Sequence, residues 1–224
     1  MKTRSKRYRS ALEHKGTSPL SLDEAIEALA QFDRANFDES VELSISLGVD
    51  PKQSSQAVRG TLNLPHGSGK ELKVLVFTDN PEDAIAAGAD FAGLEDLVKK
   101  VKEGWVDFDV ALSTSSAMKE VRSVARVLGP RGLMPTPKAG TVTDDISSAI
   151  KDVKSGRVEF KMDKTGAMSV LVGKRSFEPK QLVENTHAAL DAVSAARPEG
   201  FKGKFIKRVY LSSTMSPSVV LAGY

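Results

Sequence analysis

Cysteine is absent from this 224-residue chain. That one absence excludes disulfides, thiolate metal sites and a cysteine nucleophile, and it fits a reducing compartment. Histidine is scarce: His14, His66 and His187 lie far apart, and none sits in a metal-ligand or catalytic-triad pattern. Nine Phe, three Tyr and one Trp are too few for a long base-stacking platform. Apolar runs are short, the densest being Val74 to Phe77, whereas a membrane span needs roughly 20 residues. The basic start, Met1 to Arg9, is not followed by the apolar stretch of an export signal, so we expect a cytoplasmic protein without a membrane partner. A strong excess of one charge is missing too. The 32 Lys and Arg against 29 Asp and Glu leave a formal +3, which rules out a uniformly basic nucleic-acid coat.

What is present is an ordinary folded composition, 40% apolar and 27% charged, long enough for one large domain or two small ones. Residues 1 to 18 form a basic arm, with Lys2, Arg4, Lys6, Arg7, Arg9 and Lys15 against Glu13 alone. A mobile arm, a helix that forms on contact and a solubility tail fit it equally. From Ser21 the pattern turns helical, with Glu24 completing a capping box and Leu22, Ile26, Leu29 and Phe32 on one face. Val41, Leu43, Ile45 and Leu47 then alternate with Glu42, Ser44 and Ser46, a half-buried strand. Val58 to Leu64 offers a second strand, stopped by Pro65.

Beyond Gly67-Ser-Gly69 the texture changes. Strands expected at Lys73 to Phe77 and Val106 to Leu112 read as continuously buried. Helices expected at Pro81 to Ala87, Gly93 to Glu103, Ser116 to Leu128 and Asp144 to Ser155 separate or follow them, which predicts βαβ units and a parallel sheet. After Arg157 the antiparallel texture returns: Val158 to Met162 and Ala167 to Val172 flank the turn Asp163-Lys-Thr-Gly166, an expected hairpin. A helix from about Glu178 to before Pro198, a strand from Phe205 to Leu211 and, after Ser212 to Pro217, a short tail strand follow. The economical topology is an α+β and α/β two-domain protein. Residues 1–67 plus 160–224 form a split antiparallel α+β domain, and 68–159 form an inserted Rossmann-like three-layer α/β domain. Charge divides along the same lines. Nine cations face nine anions in 1–67, thirteen face fifteen in 68–159, and ten face five in 160–224, for nets of 0, −2 and +5.

No catalytic constellation emerges. His66-Gly-Ser-Gly-Lys70 looks like a phosphate loop, but Leu64 stands where its first Gly belongs and Glu71 where Ser or Thr would hold magnesium. Thr78 to Asp83 is acidic and would repel a pyrophosphate, so a nucleotide-using enzyme, the rival from another class, lacks its cradle. We expect no cofactor and no metal. Two basic features remain. The loop Gly129 to Gly140 carries Arg131 and Lys138 without an acid, and either a phosphate-backbone contact or a rigid structural connection explains it. Lys161, Lys164 and Thr165, with Lys202, Lys204, Lys207 and Arg208 beside Ser212-Ser-Thr214, suit phosphate and 2′-hydroxyl contacts, or else a solvated edge strand.

Eight segments carry a resemblance: Phe37-Asp-Glu-Ser-Val-Glu42, Leu47-Gly-Val-Asp-Pro51, Val58-Arg-Gly-Thr61, Leu64-Pro-His-Gly67, Leu128-Gly-Pro-Arg-Gly-Leu-Met-Pro135, Pro137-Lys-Ala-Gly-Thr141, Asp163-Lys-Thr-Gly166 and Ser213-Thr-Met-Ser-Pro217. In this order they resemble the bacterial ribosomal protein L-one family, the stalk proteins of the large subunit. The resemblance implies a structural ribosomal protein, not an enzyme, bound to 23S rRNA at the mobile stalk. It implies help in releasing deacylated tRNA from the exit site, and translational repression of the protein's own operon mRNA. Carried over by motif, the RNA-binding residues would be Phe37, Ser40, Glu42, Lys161, Asp163, Lys164, Thr165, Gly166, Ser169, Ser213, Thr214, Met215 and Ser216, with Arg131 and Lys138 as second-domain contacts. Three positions depart from the family pattern. Asn36 replaces a common cation, Ser169 a common His, and Ser216 a Gly, where a positive φ would cost Ser roughly 1 kcal/mol or more.

Overall fold

The structure is a computed structural model and describes residues 4–16, 18–53 and 56–224. Lys2 of the basic arm and the side chain of Lys138 lie outside the described residues. The chain is a mixed α and β protein and divides into two compact units, Met1–Gly69 with Val158–Tyr224, and Lys70–Arg157.

In the first unit the basic arm is helical. Helix α1 (Lys6–His14) is capped by Ser5 and buries only Ala11, so most of its basic surface stays exposed. Helix α2 (Leu22–Gln31) starts on the expected capping box: Ser21 Oγ accepts from the Glu24 amide at 3.4 Å and Glu24 returns the bond to the Ser21 amide at 2.9 Å. Strand β1 (Ser40–Leu47) keeps its alternation, with Val41, Leu43, Ile45 and Leu47 buried. It is an inner strand of an antiparallel sheet ordered β7-β1-β8-β9, built with β7 (Ala167–Lys174), β8 (Ile206–Ser213) and β9 (Val219–Val220). Helices α2 and α8 (Pro179–Ala195) pack on the apolar face, and the other face stays polar. Buried Asn185 of α8 ties the turn before Gly67 to the sheet. Its side-chain amide donates to Val172 and Gly67 carbonyls at 2.8 and 3.1 Å and its oxygen accepts from the His66 amide at 3.1 Å.

The expected hairpin is a corner instead. Strand β6 (Arg157–Lys161) pairs with β2 (Arg59–Asn63) in a separate two-stranded sheet, while β7 joins β1. Partners on either side pull the strands apart. Met162 donates its amide to the Val58 carbonyl at 2.9 Å, and four residues later the Gly166 carbonyl accepts from Leu47 at 2.9 Å. The turn itself closes as expected, with Gly166 at φ +80°.

The second unit is a parallel sheet ordered β4-β3-β5, from β3 (Val74–Phe77), β4 (Phe91–Gly93) and β5 (Val110–Ser113). Every side chain of β3 is fully buried, as its unbroken apolar run requires. Leu75 and Phe77 pack against α4 (Glu95–Lys102), α5 (Met118–Val121) and α6 (Ala125–Leu128). Val74 and Val76 pack against α3 (Pro81–Ala86) and α7 (Ile146–Ser155). Three expectations change here. The strand expected from Val106 begins only at Val110, because exposed Asp107 and half-buried Asp109 turn their carboxylates to Lys73 and Lys70 ahead of the sheet. The helix from Ser116 to Leu128 is broken by a 3₁₀ turn at Arg122–Val124, and β4, only three residues long, takes the start of the helix expected from Gly93.

Candidate nucleic-acid interface

The outward face of the antiparallel sheet is built by strand register. Ser44 of β1 lies between Ser169 of β7 and Tyr210 of β8, Glu42 between Leu171 and Ser212, and Ser46 between Ala167 and Arg208. This gathers Glu42 and Ser169 side by side, and the Ser169 hydroxyl donates to Glu42 Oε2 at 2.9 Å. Ser212, expected among the hydroxyls beside the basic cluster, shares the face, and so do Ser44, Ser46 and Tyr210, which the sequence does not mark as contacts. Alternation told which residues of β1 point outward, but only pairing shows which residues of β7 and β8 stand beside them. An exposed carboxylate among hydroxyls disfavours phosphate and suits a 2′-hydroxyl or an exocyclic amine as donor.

At the start of β1 the segment leading to Ser40 meets the loop after β8. The Ser40 amide donates to Thr214 Oγ1 at 3.0 Å, and the Thr214 amide donates to the Ser40 carbonyl at 3.0 Å. Lys174 Nζ donates to Ser40 Oγ at 3.0 Å. Two large apolar residues stand exposed on these segments, Phe37 at 50% and Met215 at 51%. Such residues cost apolar exposure in the free protein and gain contact with a base or sugar in a complex. A recess of 460 Å³ bounded by Arg34, Asn36, Phe37 and Ser176 opens beside Phe37. Ser216, the departure from Gly, is accommodated without strain, since no non-glycine among the described residues has a positive φ. Its hydroxyl instead closes the loop, accepting from the Ser213 amide at 2.9 Å.

Ser213 is placed differently from its neighbours. It is 5% exposed and its hydroxyl donates to buried Glu39 at 2.5 Å, so it shapes the loop from below. Burial pushes the Glu39 carboxyl up, but hydrogen bonds from Ser213, Ala35 and Met215 and the charge of Arg175 outweigh it and leave it below its ordinary value. Glu39 lies inside the Phe37 to Glu42 motif without being marked by it, because nothing in the residue pattern shows that a carboxylate is buried.

The Asp163 to Gly166 turn is organised by its own acid. Asp163 accepts from the Thr165 hydroxyl at 2.7 and 2.8 Å, from the Thr165 amide at 2.7 Å and from the Ala167 amide at 2.9 Å. The Thr165 hydroxyl, then these amides, hold its carboxyl below the usual range. Asp163 thus spends its acceptors on the turn, leaving Lys161 and Lys164 exposed on either side as the local cations.

Arg131 and Lys138 belong to the other unit. Their loop is knit to its own fold: the Thr136 amide donates to Thr141 Oγ1 at 2.8 Å, Ala139 is buried, and a Cβ on Gly140 would lie 2.2 Å from an Arg157 nitrogen. The loop is thus braced within its own unit, with Arg131 exposed on it. A cavity of 610 Å³ lies past the ends of β3 and β5, lined by Thr78, Thr114, Asp83, Asp144, Asp145 and Lys151. Three carboxylates against one cation make it unsuited to a nucleotide phosphate.

Residues 29–217 match the model of the Ribosomal protein L1p/L10e family. The chain is 50% identical over 224 residues to the large ribosomal subunit protein uL1 of Kosmotoga olearia, covering 99% of this chain and 97% of that one. It is likewise 50% identical over 228 residues to the protein of the same name from Persephonella marina (99% and 94% covered), and 49% over 215 residues to that of Nitratidesulfovibrio vulgaris (95% and 92%).

Proposed function

The chain belongs to the ribosomal protein L1p/L10e family, and from that premise we propose that it binds large-subunit (23S) rRNA at the mobile stalk through the polar face of its first unit. It is a structural constituent of the large ribosomal subunit, ribosome-bound in the cytoplasm, and not an enzyme. The observation that carries the RNA reading is the pairing of exposed Phe37 and Met215 with the hydroxyl-rich β1 face, on segments locked by the Ser40 and Thr214 hydrogen bonds. Hydroxyls and Glu42 read 2′-hydroxyls and base edges, the two apolar side chains pack on sugars or bases, and Lys161, Lys164 and Arg208 take phosphates.

In this reading the first unit is the split RNA-binding domain, 1–67 plus 160–224, and 68–159 is an inserted Rossmann-like domain whose fold serves placement and not cofactor chemistry. Bound at the stalk, the protein assists release of deacylated tRNA from the exit site. The same face binds a segment of its own operon mRNA and represses its translation. Few cations take part, so the affinity for rRNA falls with salt less steeply than for a protein touching six to ten phosphates. A gel-shift titration with the stalk RNA at moderate salt tests the reading. Binding below micromolar is the expected result, and its absence would overturn the assignment.

A further inference from the structure

Glu39 is 1% exposed and stands just before β1, where its two oxygens divide their partners. Oε1 accepts from the Ala35 amide at 2.8 Å and lies 3.4 Å from Arg175 Nη1, on the segment that leads to Phe37. Oε2 accepts from Ser213 Oγ at 2.5 Å and from the Met215 amide at 3.3 Å, on the loop after β8. Arg175, 7% exposed, extends the link: Nη2 donates to the Leu29 carbonyl at 2.6 Å and to the Phe32 carbonyl, and its amide donates to the Glu39 carbonyl at 2.8 Å. One buried carboxylate therefore joins the end of α2, the segment before β1, the end of β7 and the loop after β8, parts of the chain 174 residues apart.

We propose that Glu39 is the positioning residue of the RNA face, its carboxylate holding the Phe37 segment and the Thr214–Met215 loop in a single geometry before RNA arrives. This rests on the RNA-binding reading above. Glu39 is too buried to touch RNA, and its contribution is that neither segment has to be ordered at binding. A carboxylate is required because all its partners are donors: two amides, a hydroxyl and a guanidinium need four lone-pair sites on two oxygens. Glutamine has one acceptor oxygen, and its amide nitrogen would face donors on whichever side it turned. The pin on one segment is then lost while the volume is kept.

The test is a double-mutant cycle on the full chain with the stalk RNA: Glu39→Gln, Met215→Ala and the pair, each assayed well below its unfolding midpoint. Glu39→Gln is expected to weaken binding about 30-fold, chiefly through faster dissociation. If it acts by placing Met215, the double variant is weaker than Glu39→Gln by no more than about threefold, because coupled residues are not additive. The Met215 amide proton signal should also move in Glu39→Gln without RNA. Wild-type affinity in Glu39→Gln, or effects that multiply in the pair, overturns the inference while leaving the RNA reading intact. A wild-type chain that does not bind overturns both. Should Glu39→Gln fail to fold, Ser213→Ala, which removes one of the two bonds to Oε2 and leaves that from the Met215 amide, takes its place in the same cycle, with coupling to Met215→Ala of the same sign but smaller size, and its absence overturns the inference.

Discussion

The antiparallel sheet of the first unit and the parallel sheet of the second spend their surfaces differently. Strand β1 buries one side and keeps Ser40, Glu42, Ser44 and Ser46 toward solvent, whereas β3 is buried on both. Their charges differ in the same way. The first unit encloses the Glu39–Arg175 pair, with side chains 1% and 6% exposed. The second keeps its pairs at the surface: Lys70–Asp109, Lys73–Asp107 and Lys154–Asp90. A sheet covered on both faces has only rims and loops left for a partner, while a half-covered sheet offers a rigid polar face. On the RNA-binding reading proposed above, the contrast explains why the proposed contacts lie on the first unit although both units carry cations.

The largest effect should come from breaking the buried pair. Arg175→Met leaves the Glu39 carboxylate uncompensated and is expected to cost about 3–5 kcal/mol, read from urea unfolding. A loss under about 1 kcal/mol would show that the two units do not differ in how they hold charge. Next, Met215→Asp places an exposed charge against RNA and should weaken stalk-RNA binding by about 2 kcal/mol, or roughly 30-fold, with an unchanged unfolding midpoint. In the second unit, Gly140→Ala combines a φ of +63° with a contact on Arg157, and about 1–2 kcal/mol of stability should be lost without any change in RNA affinity.

Acid sharpens the comparison further. Glu39 titrates below its ordinary 4.5 in the fold and near that value when unfolded, so between the two the unfolded chain holds the extra proton. Its stabilisation is therefore complete above about pH 4.5 and is lost as pH falls through the lowered folded value. A urea midpoint that drops on acidification in the wild type, and drops less in Glu39→Gln, is the expected result. The smallest effects belong to the second-unit loop: Arg131→Ala and Lys138→Ala should each change stalk-RNA affinity by less than about threefold. If either exceeds Met215→Asp, the RNA face is not confined to the first unit.

Local features were legible where one short stretch of chain decides them. The Ser21 and Glu24 capping box, the alternation of Val41 to Leu47 and the apolar run Val74 to Phe77 all stand in the structure where their residues call for them. Features that depend on a distant partner were not. The corner at Asp163 to Gly166 looks like a hairpin until Val58 and Leu47 claim the flanking backbone groups. Strand β4 is three residues long, too short for a period. Ser213 reads as a surface hydroxyl like Thr214 until Glu39 is seen beneath it.

By itself the sequence determined what this protein lacks, the periods of its longer elements and the ordered motifs that carry its family. Those depend on residue type and spacing, which are local quantities. Tertiary structure alone decided that Glu39 is buried, that Ser44, Ser169 and Tyr210 form one row, and that the Phe37 segment and the Met215 loop share a carboxylate. Burial and strand register are set by which distant surfaces meet, and the hydrogen bonds of a buried acid exist only once those surfaces have closed over it.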